Sequence, residues 1–233
     1  LVGHNTLRLM TMGMEDRPPT PDELSHMTAL LKEGLAAGAL GMSSGLFTAP
    51  GSFSETEELV ALGRTLESEN ARYFTHLRDE GNTVYDSVQE TMEFAEQVGV
   101  HVQIVHMKLS GLDNWGGAKK IMQILSDARD RGVRIDCDVY PYTAASNPLR
   151  NLMPAWLQEG GIESTLGRLA NADDRARLRE EVDAEGLNNF GRIPSWDAVR
   201  ISISPDLPQY AGRTIASIAE EKGTDGFDAA LDY

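Results

Sequence analysis

Two kinds of hydrophobic pattern alternate along the first 146 residues of the chain. Short apolar runs alternate with longer segments in which apolar residues recur every three or four positions, the spacing of an amphipathic helix. The short runs predict strands at the start of the chain and over 39–44, 71–76, 100–106 and 133–139. The longer segments predict helices that begin near Thr20, Ser54, Thr83 and Ala118. The order is therefore strand then helix, repeated four times at about 30 residues per repeat.

This alternation predicts a parallel sheet covered by helices. A doubly wound sheet and a (β/α) barrel both satisfy it. No GxGxxG or P-loop follows any strand, so the usual nucleotide signature of the doubly wound class is missing. The residues capable of chemistry instead follow successive strands, as at the C-terminal face of a barrel. We therefore predict an α/β fold that supplies about five of the eight strands of a barrel.

After residue 146 the regular alternation of strand and helix patterns ends. We interpret 147–198, which contains three prolines and a highly charged stretch, as an inserted helical segment that forms a lid. An apolar–polar alternation over 199–204 predicts a strand, so 199–233 is interpreted as a return to the barrel. The domain boundaries predicted are 1–146, 147–198 and 199–233.

Three predicted helices begin with a capping-box pattern, in which a hydroxyl residue is followed three positions later by an acidic one. The pairs are Thr20 with Glu23, Ser54 with Glu57, and Thr83 with Asp86. Pro21 at the first helical position strengthens the first of them. We expect each pair to satisfy free N–H groups at a helix start.

Two histidines end neighbouring strands of the predicted sheet. His76 closes the run YFTH, and His106 closes the run VQIVH. A right-handed crossover places consecutive parallel strands side by side, so the two strand ends become spatial neighbours. The pair is either half of a metal site or two unrelated histidines in polar loops, since a zinc site usually has three protein ligands. The spacing alone leaves both alternatives open.

Other polar groups follow the same strand ends. Lys108 lies two residues beyond His106, and the hydroxyls of Tyr140 and Ser146 follow the next strand. A metal held by the two histidines would activate water and polarise a carbonyl, while a lysine would hold a carboxylate. This set suits hydrolysis of an amide that carries a carboxylate.

Composition limits the partners and the compartment. The net charge of −15 leaves no basic patch for phosphates, so we expect no nucleic-acid partner. No apolar run approaches the length of a membrane span, so we expect no membrane partner. The single cysteine, Cys137, excludes an internal disulfide and favours a reducing cytoplasm. It lies in a strand pattern and is interpreted as a buried, inert thiol.

Five motifs, in this order and spacing, resemble the N-acyl-D-amino-acid deacylases (D-aminoacylases) of the amidohydrolase superfamily. They are GALGMSSGL, THLRDEG, VQIVHMKLSG, NWG and DVYPYTA. The resemblance implies a distorted, zinc-dependent (β/α) barrel of the amidohydrolase type that removes the acyl group from N-acyl-D-amino acids. It implies that His76 and His106 bind the catalytic zinc. It also implies that Lys108, Tyr140 and Ser146 bind the substrate carboxylate.

The resemblance also implies what the chain lacks. The family's HxH pair and metal-binding cysteine are expected upstream of Leu1, and its catalytic aspartate downstream of Tyr233. Cys137 is in the wrong place to be that cysteine, and Thr48 stands where the family often has a tyrosine. We therefore expect a central fragment of barrel strands three to seven, with no catalytic residue of its own and no activity alone.

The remaining candidates are interpreted as structural. These are His4, His26 and His101. Arg78, Asp79 and Glu80 follow His76 into a loop, where they either orient the site or form salt bridges, and we expect neither carboxylate to face a metal. His76 and His106 are thus the only metal ligands predicted within the chain. Two alternatives stay open beside the deacylase: another barrel amidohydrolase that opens cyclic amides, and a non-catalytic homologue that binds a metal or small molecule. The oligomeric state is not predicted.

Overall fold

The computed structural model describes all 233 residues and contains one five-stranded sheet. The strands are β1 (Val2–Gly3), β2 (Gly41–Gly45), β3 (Arg72–His76), β4 (Val102–Ile104) and β5 (Ile135–Cys137). The α-helices are α1 (His4–Met12), α2 (Pro21–Ala36), α3 (Thr56–Ser68), α4 (Val84–Val98), α5 (Ala118–Asp130), α6 (Ala155–Gln158), α7 (Ile162–Ala170), α8 (Ala172–Glu185), α9 (Ile215–Lys222) and α10 (Gly226–Leu231). Short 3-10 helices lie at Gly51–Phe53, Leu112–Asn114, Leu149–Leu152, Trp196–Ala198 and Pro208–Tyr210.

The strands lie side by side in chain order, and every neighbouring pair is parallel. A doubly wound sheet reverses its strand order at a switch point, whereas a barrel adds each new strand on the same side. The unbroken order β1 to β5 is therefore that of a barrel wall, and the predicted fold class is confirmed. The pairing register brings Gly45 beside His76, so the ends of β2 and β3 are level.

The main core lies between this sheet and helices α1 to α5. It consists of 24 buried hydrophobic residues in one connected cluster. Helix α4 contributes its predicted stripe, because Val84, Val88, Met92, Ala95 and Val98 are all at least 96% buried from solvent. The same periodicity that predicts the helices thus also defines the face that each helix packs on the sheet.

Residues 147–233 pack around two smaller hydrophobic clusters formed by α6 to α10. The strand predicted at 199–204 is wrong: only one antiparallel bridge forms there, between Arg200 and Thr214. Ile201 exchanges backbone hydrogen bonds with the turn before α9, and Pro205 ends the extended stretch. The alternation reflects packing of Ile201 against α9 and not entry into the sheet. None of the helices combines the length and the apolar character that crossing a membrane requires.

Candidate metal centre

The two histidines predicted from the strand ends lie next to each other. His76 is the last residue of β3, and His106 follows the end of β4 by two residues. Their ring centroids are 4.6 Å apart, with the ring planes at 74°. The crossover through α4 therefore brings the pair together as predicted.

His76 is held in the form that can bind a metal. Its Nδ1 lies 2.8 Å from the carbonyl oxygen of Leu77, and because a carbonyl can only accept, Nδ1 carries the proton. This leaves the lone pair on Nε2. Burial lowers the pKa of His76 to about 4, so the ring is neutral at neutral pH. The ring of Phe47, from the loop after β2, stacks on it at 4.0 Å between centroids and fixes its plane.

His106 is positioned by its backbone. Its φ of +41° is in the left-handed region, which non-glycine residues occupy at a cost of roughly 1 kcal/mol. Two hydrogen bonds to Asp138, just after β5, stabilise this backbone conformation. The Asp138 carboxylate accepts from the His106 N–H, and its carbonyl oxygen accepts from the Met107 N–H at 2.8 Å. The strained backbone turns the imidazole toward His76. Asp138 was not singled out from the sequence, and its place directly after a strand end was the available signal.

Glu80 is the main functional residue that the sequence analysis missed. It is 1% exposed, and its carboxylate faces both histidines. Oε2 lies 3.6 Å from Nε2 of His76, and Oε1 lies 3.3 Å from Nδ1 of His106. The interpretation of Glu80 as a residue of the outer loop is therefore wrong.

The turn after β3 explains why Glu80 points inward. Asp79 accepts the N–H of Gly81 at 2.7 Å and the N–H of Thr83 at 2.8 Å, which closes a tight turn around its own carboxylate. Arg78 pairs with Glu90 at 2.8 Å on the outer side. The loop salt bridge predicted for Arg78 is therefore present, whereas Asp79 forms no salt bridge and closes the turn instead. The turn leaves the intervening Glu80 facing the ends of β3 and β4.

Together, His76, Glu80 and His106 offer three ligand atoms that all lie within 4.8 Å of one another. Two imidazole nitrogens and one carboxylate oxygen are ligands that zinc accepts in proteins. The neutral, Nδ1-protonated His76 adds the tautomer that metal binding requires. The donor set therefore fits a zinc ion, and it contains one more donor than the two histidines predicted.

Lys108 lies inside this cluster, and its ammonium contacts two of the candidate metal ligands. Its ammonium donates to Glu80 Oε1 at 2.7 Å and to His106 Nδ1 at 2.8 Å. It also lies 5.2 Å from the ring centroid of Tyr140. Lys108 and Tyr140 are thus neighbours, whereas Ser146 is exposed and makes no hydrogen bond to either of them. The structure brings together all the predicted site residues except Ser146.

Of the other three histidines, His26 is exposed on α2, and the remaining two have structural partners. His4 is fully buried, and its Nε2 lies 2.7 Å from Glu58. His101 precedes β4 and pairs with Asp136 at 2.7 Å, at the opposite end of the strand from His106. Their structural interpretation is confirmed. Cys137 is half-buried, and burial raises the pKa of its thiol, so the inert role also agrees with the structure.

A parallel wall of β/α units with histidine ligands at its strand ends defines part of a metal-binding barrel of the amidohydrolase type. Among solved structures, the chain is similar to N-acyl-D-glutamate deacylase from Bordetella bronchiseptica complexed with zinc and a phosphonate inhibitor. The TM-score is 0.76 at 27% identity, covering 99% of this chain and 40% of that one. It is also similar to the crystal structure of D-aminoacylase, with a TM-score of 0.74 at 27% identity, covering 98% and 40%.

Curated sequences agree. D-aminoacylase from Alcaligenes xylosoxydans xylosoxydans is 35% identical over 150 residues, 64% of this chain and 31% of that protein. N-acyl-D-glutamate deacylase from the same organism is 29% identical over 230 residues, 99% of this chain and 39% of that protein. No protein-family model matches the chain.

The predicted resemblance is therefore confirmed. The chain is a relative of the N-acyl-D-amino-acid deacylases, and the likeness extends over nearly all of it. It spans between 31% and 40% of the length of the relatives named here.

Proposed function

We propose that the protein containing this chain hydrolyses the amide bond of N-acyl-D-amino acids, with a zinc ion bound at His76 and His106. The observation that carries the proposal is the grouping of two imidazoles and the Glu80 carboxylate beside the Lys108 ammonium. The names of the relatives supply the substrate class. Water adds to the acyl carbon, the C–N bond breaks, and the products are a carboxylate and a free D-amino acid.

His76 and His106 would hold the metal through ring nitrogens, and Glu80 faces the same point. When bound, a zinc ion supplies Lewis-acid chemistry, activating water and polarising the amide carbonyl. Phe47 covers one face of His76, which excludes water from that side.

Lys108 and Tyr140 would bind the substrate carboxylate. An ammonium has three N–H donors, and in Lys108 two of them are directed to Glu80 and His106. The third remains for a substrate oxygen. The hydroxyl of the half-buried Tyr140 forms no hydrogen bond within the chain and is available as a second donor. Ser146 is assigned as a further carboxylate donor on the resemblance alone.

Charge in the site favours an anionic substrate, although the chain as a whole is acidic. The negative charge of Glu80 and the positive charge of Lys108 offset each other in one 2.7 Å ion pair. A divalent cation bound there adds positive charge beside the Lys108 ammonium. A substrate carboxylate is attracted to these cations, whereas a neutral cyclic amide carries no charge for Lys108 to hold.

No residue of this chain is proposed as the general base. Glu80 is the one buried carboxylate among the candidate ligands, yet both its oxygens are already engaged by neighbouring donors. A base must be free to receive the proton of the attacking water. We assign that role to the family's aspartate, which the resemblance places on a later strand.

The proposal is tested with the full-length protein. Zinc content is measured by atomic absorption, and hydrolysis is followed on a panel of N-acetyl-D-amino acids, their L-enantiomers and a six-membered cyclic amide. We expect bound zinc and turnover of the D-series. Turnover of the cyclic amide alone would identify the other amidohydrolase class. Bound zinc without any turnover would identify a non-catalytic binder.

Substitution of Lys108 by methionine tests the carboxylate role. We expect kcat/KM for N-acetyl-D-amino acids to fall roughly tenfold or more, because a charged hydrogen bond contributes about 1.5–3 kcal/mol. The matching C-terminal amides, which lack the carboxylate, should lose much less. Lys32→Met is the control, because Lys32 is exposed on α2, away from the strand ends. An equal loss on acids and amides would show that Lys108 acts only through Glu80 or His106.

A further inference from the structure

A small hairpin of the inserted segment reaches the metal centre. Residues 187–192 fold back on themselves, with Leu187 and Gly191 paired as an antiparallel bridge. The hairpin packs on the loops that follow β3 and β4. A Cβ placed on Gly81 would lie 2.8 Å from the Gly191 nitrogen, so the two backbones are in direct contact. Arg192 adds a backbone hydrogen bond, its carbonyl accepting the Leu112 N–H at 2.9 Å.

Asn189, at the tip of this hairpin, holds Glu80 by two hydrogen bonds. Its Oδ1 accepts the backbone N–H of Glu80 at 2.9 Å, and its Nδ2 donates to Glu80 Oε2 at 3.3 Å. The side chain is buried, with 4% of the residue exposed. Its φ of +63° is one that asparagine tolerates better than most residues, and it turns the amide toward the sheet. The two partners are 109 positions apart in the chain.

We infer that Asn189 is a positioning residue for the metal centre. The inference rests on the proposed function and deepens it by assigning part of the centre to the inserted segment. Glu80 faces both histidines and Lys108, so the orientation of its carboxylate sets the spacing of the whole group. Asn189 fixes that orientation at the backbone and at the carboxylate together. The inserted segment is therefore a structural component of the centre as well as a cover for the strand ends.

A purely structural role for Asn189 makes a different prediction. A residue that only anchors the hairpin would change the stability of the protein and leave the metal affinity of the folded molecule unchanged. A residue that orients a group beside a metal typically changes metal affinity or activity by about 10- to 100-fold when it is removed. The measurement that separates the two roles is the dissociation constant for zinc, determined on folded protein by competition with a chromogenic chelator.

The experiment compares Asn189→Gly with Arg192→Ala in the full-length protein. Glycine accepts the φ of +63° without strain, so the first variant removes only the amide. Arg192 lies on the same hairpin, and its exposed side chain contacts Ala184 and Asp113 but neither Glu80 nor a histidine. We expect the Kd for zinc to rise about 10- to 100-fold in Asn189→Gly and kcat to fall with little change in KM. In Arg192→Ala the Kd should stay near that of the wild type.

A double-mutant cycle with Glu80→Gln shows whether Asn189 acts through Glu80. If it does, the two effects on zinc affinity are strongly non-additive. Fully additive effects, or a wild-type Kd in Asn189→Gly, would overturn the inference. Should Asn189→Gly fail to fold, Asn189→Asp carries the same expectation, since aspartate tolerates this φ but loses the Nδ2 donor to Glu80.

The test separates this inference from the proposed function. A wild-type protein that binds zinc without hydrolysing any substrate contradicts the proposed function, while the zinc comparison still decides the role of Asn189. A wild-type protein that binds no zinc contradicts both.

Discussion

Replacing His76 or His106 by alanine is expected to abolish hydrolysis of N-acetyl-D-amino acids by the full-length protein and to lower its zinc content. Each substitution removes one of the two imidazoles at the ends of β3 and β4, whose ring centroids are 4.6 Å apart. A zinc site that loses one of its few protein ligands loses most of its affinity. Zinc per protein is measured after dialysis, alongside kcat/KM.

His101→Ala is the matched control for this prediction. His101 and His106 lie just beyond opposite ends of β4. At its own end of the strand, His101 pairs with Asp136. Its replacement should leave zinc content and kcat/KM close to those of the wild type. Full activity in either His76→Ala or His106→Ala would reject the assignment of that histidine as a ligand.

Substitution of Glu58 by alanine is expected to give the largest loss of stability. Glu58, at the start of α3, accepts from the Arg8 guanidinium and lies 2.7 Å from His4, and all three residues are at least 95% buried. Removing the carboxylate leaves the buried Arg8 charge without its anion. Breaking a buried ion pair from one side costs about 3–5 kcal/mol. We expect a loss of that size in the free energy of unfolding, measured by urea denaturation.

Glu67→Ala provides the comparison on the same helix. Glu67 pairs with Arg64 at 3.5 Å, and both side chains are more than half exposed. Exposed pairs of this kind contribute about 0.2–1 kcal/mol. If Glu58→Ala destabilises the protein no more than Glu67→Ala does, the buried cluster does not hold α1 against α3 as the structure indicates.

The sheet and helices α2 to α5 could be predicted because their signals are local, whereas α1 lies where a loop is expected. A 3.6-residue period marks both the helix and its buried face, as the buried stripe of α4 shows. Helix starts were less predictable. Thr20 and Glu23 form the predicted capping box, but Ser54 donates to Gly51 and Thr83 donates to Asp79. At the last two helix starts, the side-chain hydroxyl bonds to a neighbouring turn instead of capping the helix. The spacing of residue types is the same in both cases, so it does not distinguish them.

The metal centre could be predicted only in part, for a related reason. Parallel strands paired through a crossover guarantee that His76 and His106 meet, so two donors follow from topology. Glu80 depends on the turn built around Asp79 and on Asn189, which lies 109 positions further along the chain. The strand predicted at 199–204 failed because a short alternation gives the same pattern whether it joins a sheet or packs on a helix. Long-range contacts decide such cases, and a single sequence carries no direct signal of them.

We propose that the ends of β3 and β4 hold the zinc ion of an N-acyl-D-amino-acid deacylase. An anomalous difference map, recorded at the zinc absorption edge from crystals of the full-length protein, locates the ion. We expect a peak about 2.0–2.1 Å from ring nitrogens of both His76 and His106. A zinc peak elsewhere, with both imidazoles free of metal, would show that the proposed site is wrong.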